Sequence, residues 1–176
     1  MRVGVLALQG DFAAHAAALR ARGVTPLEVR NSADLGKIDG MVLPGGESTT
    51  MLTLLRRNAL GADLARLVTG GTPVLATCAG VILLAREVRS PSQDALGLLD
   101  IAVERNAYGR QLESRVVSLT VEAPEELGCA ELEGVFIRAP RVVAVGGRVR
   151  VIARRSEDPV LLRQEQVDPL HGQRVE

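Results

Sequence analysis

The first half of the chain alternates short apolar runs with stretches whose apolar residues recur at helical spacing. MRVGVLALQG predicts a strand closed by Gly10, and DFAAHAAALRARG predicts a helix that ends at Gly23. TPLEVR, DGMVLPGG and PVLATC predict three further strands. GADLARLVTGG predicts a helix, and so does STTMLTLLRRNA, which Ser48 or Thr49 would cap. Strands without polar alternation that are separated by helices are typical of a parallel sheet covered on both faces.

The second half has a different pattern, with several strand-like segments joined by short polar or glycine turns. These segments, between Leu98 and Gln164, are LGLLDIAVERN, RVVSLTVEA, GVFIRAP, RVRVIARR and PVLLRQ. We therefore expect an α/β fold with a doubly wound, mostly parallel sheet flanked by helices, to which the second half adds antiparallel and mixed strands. No linker rich in Ser, Pro or Gly divides the 176 residues, so we expect one domain over 1–176.

Composition and charge narrow the class of protein. The 21 basic and 21 acidic residues give a net charge of +0, which argues against a nucleic acid or an anionic membrane as a partner. The apolar runs are shorter than the roughly 20 residues of a spanning helix, and Met1 leads directly into a strand without a signal-peptide pattern. We expect a cytoplasmic protein whose two cysteines, Cys78 and Cys129, are reduced thiols.

Cys78 is the residue with the clearest chemical potential. It lies in VLATCAGVILLA, where an apolar strand turns at Cys-Ala-Gly into a predicted helix. The helix N-terminus favours a thiolate, such a turn presents the sulfur, and the backbone N–H of Ala79 would face an oxyanion formed on it. The alternative is that Cys78 is a small buried residue at a tight turn.

Two other segments carry groups that could bind a ligand. In LPGGESTT, residues 43–50, glycines after a strand allow a ligand to approach the backbone, and their amides can supply a second oxyanion donor. In ERNAYGRQLES, residues 104–114, the guanidinium groups of Arg105 and Arg110 can pair with a carboxylate. The alternatives are an ordinary capped glycine turn and a solvated charged loop.

Taken together, these motifs resemble one family. LALQGDF, LPGGESTT, TCAGVILLA, VERNAYGRQLES, GVFIRAP and PVLLRQ, in this order, are similar to the glutaminase subunit of pyridoxal 5′-phosphate synthase, a class I glutamine amidotransferase. The resemblance covers residues 1 to about 164. It implies hydrolysis of L-glutamine to glutamate and ammonia, with no metal or organic cofactor, and transfer of the ammonia to a TIM-barrel synthase subunit for vitamin B6 biosynthesis.

The resemblance also implies roles for individual residues. Cys78 matches the nucleophile, and the backbone amides near Gly45 or Gly46 and of Ala79 can then form the oxyanion hole. The remaining matches are to glutamine-binding positions, namely Gly46, Glu47, Ser48, Arg105, Ile137 and Arg138.

The chain departs from the family pattern at its C-terminal end, where the His-Pro-Glu-Leu motif that supplies the base and its carboxylate is absent. The two histidines are His15, expected to pack or to meet the partner, and His171, which is followed by Gly172 and Gln173. We therefore expect the part after about residue 167 to be incomplete or divergent. Either a segment is missing there, or the chain binds glutamine or its partner without efficient turnover. A DJ-1-like cysteine enzyme is a further alternative, although it has no reason to carry RNAYGRQ.

Overall fold

The computed structural model describes residues 1–105, 107, 115–137 and 140–165, with Arg115 described by its backbone alone. The described chain divides into two compact units. The first contains Met1–Leu84 and Asp94–Leu98, and the second lies within Ala85–Gln93 and Leu99–Glu165. The expectation of one domain over 1–176 stays a prediction.

The first unit alternates strands and helices as the hydrophobic pattern predicts. Its elements are β1 (Arg2–Leu6), α1 (Phe12–Arg20), β2 (Thr25–Val29), α2 (Ser32–Leu35), β3 (Gly40–Leu43), α3 (Ser48–Arg57), α4 (Leu60–Thr69), β4 (Val74–Ala76) and α5 (Ala79–Leu84). The strands form one parallel sheet in the order β2-β1-β3-β4. The predicted parallel sheet is thus confirmed.

The core of the first unit lies where the central strands meet the helices. Val5, Leu6 and Leu43 are fully buried on β1 and β3, because β1 is apolar after Arg2, its exposed first residue, and β3 carries no polar side chain. α3 and α4 contribute one apolar stripe each, and the fully buried side chains of those stripes include Met51, Leu55, Leu60 and Leu64. This packing fixes the ends of β1, β3 and β4, where the chain turns towards its helices.

The second unit consists mostly of strands. Its elements are β5 (Ala85–Arg89), β6 (Leu99–Glu104), β7 (Arg115–Val121), α6 (Pro124–Leu127), β8 (Glu131–Phe136), β9 (Arg141–Val145), β10 (Val149–Arg155) and β11 (Asp158–Gln164). They form a three-stranded sheet, β5-β6-β9, and a four-stranded sheet, β11-β10-β7-β8. Only the β5–β6 pair in these sheets is parallel, which confirms the predicted antiparallel and mixed strands.

Two described strands were not predicted from the sequence. β5 follows α5 without a turn, so its apolar residues read as a continuation of the helix. β9 is a short run between two longer predicted strands, and its sequence does not set it apart from them. In the part of the chain that the structure describes, no helix is long and apolar enough to cross a membrane.

Candidate active site

Three turns meet at one edge of the parallel sheet, where β1, β3 and β4 end. The first turn contains Gln9 and Gly10, the second runs through 45–47, and the third contains Thr77 and Cys78. The strand order β2-β1-β3-β4 places a switch in chain direction between β1 and β3. Open parallel sheets bind ligands at such a point, outside the carboxyl ends of their strands.

The turns after β1 and β3 are held together by hydrogen bonds. The N–H of Asp11 donates to the carbonyl of Gly45 at 3.0 Å, and the N–H of Glu47 donates to Oε1 of Gln9 at 2.9 Å. A Cβ on Gly10, whose φ is +95°, would lie 2.0 Å from the Gly45 oxygen. Glycine is therefore required at position 10 for both its conformation and its size.

Cys78 has a left-handed backbone with a φ of +47°, which is uncommon for a residue with a side chain. The surrounding backbone fixes this conformation. The N–H of Thr77 donates to the carbonyl oxygen of Leu43 at 3.0 Å, and the N–H of Gly80 donates to the carbonyl oxygen of Thr77 at 2.8 Å. The side chain of Cys78 is half-buried and forms no disulfide. A strained strand-to-helix turn of this kind presents a nucleophile at the edge of a sheet.

The helix that follows Cys78 is only six residues long and lies very close to β3. A Cβ on Gly80 would lie 2.3 Å from the carbonyl oxygen of Leu43, so only glycine allows this approach. Ala79 begins the helix and is 1% exposed. Its backbone N–H, as the first of α5, has no acceptor within the helix.

Gly45 lies directly beside the cysteine turn. A Cβ at this position would lie 3.5 Å from the Cβ of Cys78 and 4.0 Å from Oγ1 of Thr77. Gly46 is packed on the other side, where an added Cβ would lie 2.5 Å from Oε1 of Gln9. The first unit thus brings together the predicted residues Gly45, Gly46, Cys78 and Ala79.

Glu47 caps α3, in place of the predicted Ser48 or Thr49. Its carboxylate accepts hydrogen bonds from the backbone N–H of Thr49 at 3.0 Å and of Thr50 at 2.6 Å. Burial raises the pKa of this carboxyl, but the hydrogen bonds from Thr50 and Thr49 outweigh it and lower the pKa to about 2. The predicted cap was wrong because Ser48 is already the first residue of the helix and is 3% exposed.

His15 and Gln9 make contacts in the site that the sequence did not predict. Nε2 of His15, on α1, lies 3.3 Å from Oγ1 of Thr77, the residue before Cys78. Gln9 orients the backbone of Glu47 as described above. One feature of the sequence indicates that these residues lie near the site. The short connection after β1 places the start of α1 at the same edge of the sheet as the other turns.

The other predicted site residues belong to the second unit or lie outside the described residues. Arg105 follows β6, is half-buried, and donates its backbone N–H to Arg89 at 3.0 Å. Ile137 follows β8 with 49% of its surface exposed. Arg138 and His171 lie outside the described residues, as does Arg110. Among the residues that are described, no cluster of three or more histidine, cysteine, aspartate or glutamate side chains could hold a metal ion.

Comparison with known proteins identifies the family to which these turns belong. The model of the SNO glutamine amidotransferase family matches residues 5–170. The chain belongs to this family. The pyridoxal 5′-phosphate synthase subunit PdxT of Solibacter usitatus is 52% identical over 93% of the chain and 85% of the relative. PdxT of Thermotoga maritima is 47% identical over 93% of the chain and 86% of the relative.

Structural comparison agrees with the SNO family assignment. A crystal structure described as a glutamine amidotransferase is similar with a TM-score of 0.84 and 44% identity, covering 93% of this chain and 85% of that one. The predicted family, α/β fold class and glutamine amidotransferase function are therefore confirmed.

Proposed function

We propose that Cys78 is the nucleophile of a glutaminase that hydrolyses L-glutamine to L-glutamate and ammonia. The observation that carries this proposal is the left-handed backbone of Cys78, at a φ of +47°, beside the glycine turn at Gly45. Such strain persists only where the surroundings impose it, and it clusters at functional sites. A half-buried thiol at the end of a parallel strand is placed for acyl transfer.

The reaction proceeds in two steps. Sγ of Cys78 bonds to the side-chain carbonyl carbon of glutamine, and the carbon–nitrogen bond breaks as the nitrogen takes up a proton and leaves as ammonia. Water then attacks the carbonyl carbon of the glutamyl thioester and the carbon–sulfur bond breaks, which releases glutamate while a proton of the water restores the thiol of Cys78. Neither step requires a metal or an organic cofactor.

The negative charge that develops on the amide oxygen requires hydrogen-bond donors on one side of the sulfur. We assign one donor to the N–H of Ala79, which has no acceptor within α5. The second donor comes from the glycine turn, whose residue Gly45 faces the Cβ of Cys78. Donors fixed before the reaction stabilise the oxyanion more than mobile water does.

The substrate is held by groups that match its charges. Arg105 supplies a positive charge suited to the α-carboxylate of glutamine. We assign the other contacts to the segment from Gly46 to Ser48 and to Ile137 and Arg138. Both carboxylate oxygens of Glu47 accept hydrogen bonds from α3 and its backbone N–H donates to Gln9, so we assign Glu47 the role of holding this segment in place.

The partner in this proposal is a pyridoxal 5′-phosphate synthase subunit of the TIM-barrel type, to which the ammonia is passed. Support comes from the relatives, which are named as subunits of that synthase and match over most of their length. The cytoplasmic location and the absence of nucleic-acid and membrane partners stay predictions.

Ammonia release from L-glutamine tests the proposal directly. The chain is mixed with the synthase subunit from the same source, and the ammonia and glutamate released are measured. We expect the two products in equal amounts. Cys78→Ser lowers the rate by roughly a thousandfold or more, because a serine hydroxyl is a much weaker nucleophile than a cysteine thiolate. The matched control is Cys129→Ser, an exposed thiol outside the site, which leaves the rate unchanged. A full rate in Cys78→Ser overturns the proposal.

A second function is favoured by one feature of the sequence. Neither His15 nor His171 is followed two residues later by a carboxylate, so the expected base and its orienting group are absent as a pair. A chain of this kind would bind glutamine and the synthase subunit without efficient turnover. Calorimetric binding of both, together with no ammonia release in the presence of the partner, supports this function over the first.

A further inference from the structure

The three turns of the site form a closed ring of contacts. Asp11 in the first turn donates to Gly45 in the second, and Gly45 lies against Cys78 in the third. The ring closes through α1, because Nε2 of His15 lies 3.3 Å from Oγ1 of Thr77. The His15–Thr77 contact thus joins the cysteine turn to the helix that begins at the first turn.

Thr77 is the last residue before the strained position, and its backbone and side chain are both engaged. Its N–H donates to Leu43 at 3.0 Å, and its carbonyl accepts from Gly80 at 2.8 Å. These backbone bonds fix Thr77 along the strand, but they do not fix the lateral position of its side chain relative to Gly45. The imidazole of His15 supplies that constraint, with either group donating according to the tautomer.

We propose that His15 is a positioning residue that acts through Thr77 to keep Cys78 in its left-handed conformation and its sulfur directed to the site. A left-handed backbone in a residue with a Cβ is retained only when several contacts impose it. Loss of the His15–Thr77 contact lets the turn relax and moves the sulfur away from the donors at Gly45 and Ala79. The inference rests on the role proposed for Cys78, but it concerns the thiol itself and can be measured without glutamine.

The test measures how fast iodoacetamide alkylates Cys78 at constant pH, in a Cys129→Ser background that leaves one thiol. Thr77→Val keeps the shape of the side chain but removes the hydroxyl, and we expect it to slow alkylation about tenfold, the size of effect that one hydrogen bond has. His15→Leu slows alkylation to a similar extent. The double variant is no slower than either single variant, because both changes remove the same contact.

Two control variants separate this role from a general loss of stability. Thr77→Ser keeps the hydroxyl and retains an alkylation rate within about twofold of the parent, as expected if the hydroxyl is the group that matters. Thr53→Val removes a hydroxyl that donates to Thr49 within α3 at 2.9 Å, away from the ring, and leaves the rate unchanged. If His15→Leu does not fold, the pair Thr77→Val and Thr77→Ser carries the test alone.

The outcomes distinguish this inference from the proposed function. Equal alkylation rates in Thr77→Val and the parent overturn the role of His15, as do effects of the two single changes that multiply in the double variant. Slow alkylation of Thr77→Val in a chain that never releases ammonia supports the inference and counts against the glutaminase. In an active chain, Thr77→Val lowers kcat about tenfold with KM unchanged, since it moves the nucleophile and not the substrate pocket.

Discussion

The turns of the first unit and the strands of the second are held by different kinds of contact. In the first unit, glycines let two backbones approach so closely that an added Cβ would overlap a carbonyl oxygen, as at Gly10 and Gly80. In the second unit, arginines on strands pair with carboxylates on or next to other strands, as Arg154 does with Glu122 at 2.7 Å and Arg141 with Asp158 at 2.9 Å.

The difference matters because the two kinds of contact respond differently to substitution. A backbone contact cannot adjust, so one added methyl group must displace a strand or a turn. A pair between partly exposed charges can exchange its partner for water, and it contributes little to stability. We therefore expect the free energy of unfolding to be most sensitive at the turns of the site.

Gly10→Ala has the largest expected effect. The new Cβ would overlap the oxygen of Gly45 and would also require alanine at a φ of +95°. Unfavourable backbone conformation and overpacking together lower the free energy of unfolding by roughly 4 kcal/mol. Urea denaturation measures the loss, and ammonia release falls with it because the turn after β3 moves.

The control for Gly10 is Gly23→Ala. Gly23 also has a positive φ, +73°, but an added Cβ there has no neighbouring atom within 4 Å. Backbone strain alone lowers the free energy of unfolding by roughly 1–2 kcal/mol. If both variants lose the same free energy of unfolding, the close contact between Gly10 and Gly45 contributes nothing. This result would contradict the expectation that backbone contacts make this turn more sensitive than the second unit.

Gly80→Ala tests close approach without a positive φ. Helix propensity favours alanine in α5, yet its Cβ would lie 2.3 Å from the oxygen of Leu43. We expect a loss of about 3 kcal/mol. The matched change is Gly61→Ala in α4, where the atom nearest to an added Cβ is Cδ2 of Leu96 at 3.7 Å. We expect urea denaturation to show a free energy of unfolding about 0.5–1 kcal/mol higher for this variant. Two changes of the same sign would contradict the prediction.

Glu126→Gln is the corresponding change in the second unit. The carboxylate of Glu126 is 15% exposed and pairs with both Arg150 and Arg163, which connects α6 to β10 and β11. We expect a loss of about 1 kcal/mol that shrinks at high salt. The control is Glu87→Gln, which removes an exposed pair with Arg89 and leaves the free energy of unfolding in urea unchanged. A loss at Glu126 as large as that at Gly10 would remove the distinction between the units.

The sequence predicted those parts of the fold that depend on local pattern. Unbroken apolar runs such as the one in β1 are typical of inner strands of a parallel sheet, and Cys-Ala-Gly after β4 predicted the turn at Cys78. Both depend on residues adjacent in the chain. The predicted family and fold class followed from the same motifs.

What the sequence did not predict depends on residues far apart in the chain. The contact between His15 and Thr77 joins positions 62 residues apart, and the bond from Glu47 to Gln9 joins positions 38 apart. Neither has a periodic signature. The predicted cap of α3 was one or two residues late because serine and threonine are the commoner caps, whereas here the longer side chain of Glu47 reaches two backbone N–H groups.

The smallest expected effect is the pH dependence of the Glu47 cap. Because the pKa of this carboxyl is lowered from 4.5 to about 2 in the folded chain, its contribution to stability is fully present above pH 4.5 and is lost as the pH falls towards 2. At pH 7, Glu47→Gln is less stable than the parent by about 0.5 kcal/mol, a small effect because the carboxylate is exposed and screened. Urea denaturation from pH 7 to pH 2 shows this gap closing. The control is Asn31→Ala, which removes the neutral cap of α2, where Oδ1 of Asn31 accepts from the N–H of Ala33 at 3.0 Å. Because this cap carries no charge, the stability lost in Asn31→Ala does not change with pH. A gap that stays constant for Glu47→Gln would mean that the cap acts through its shape and not its charge.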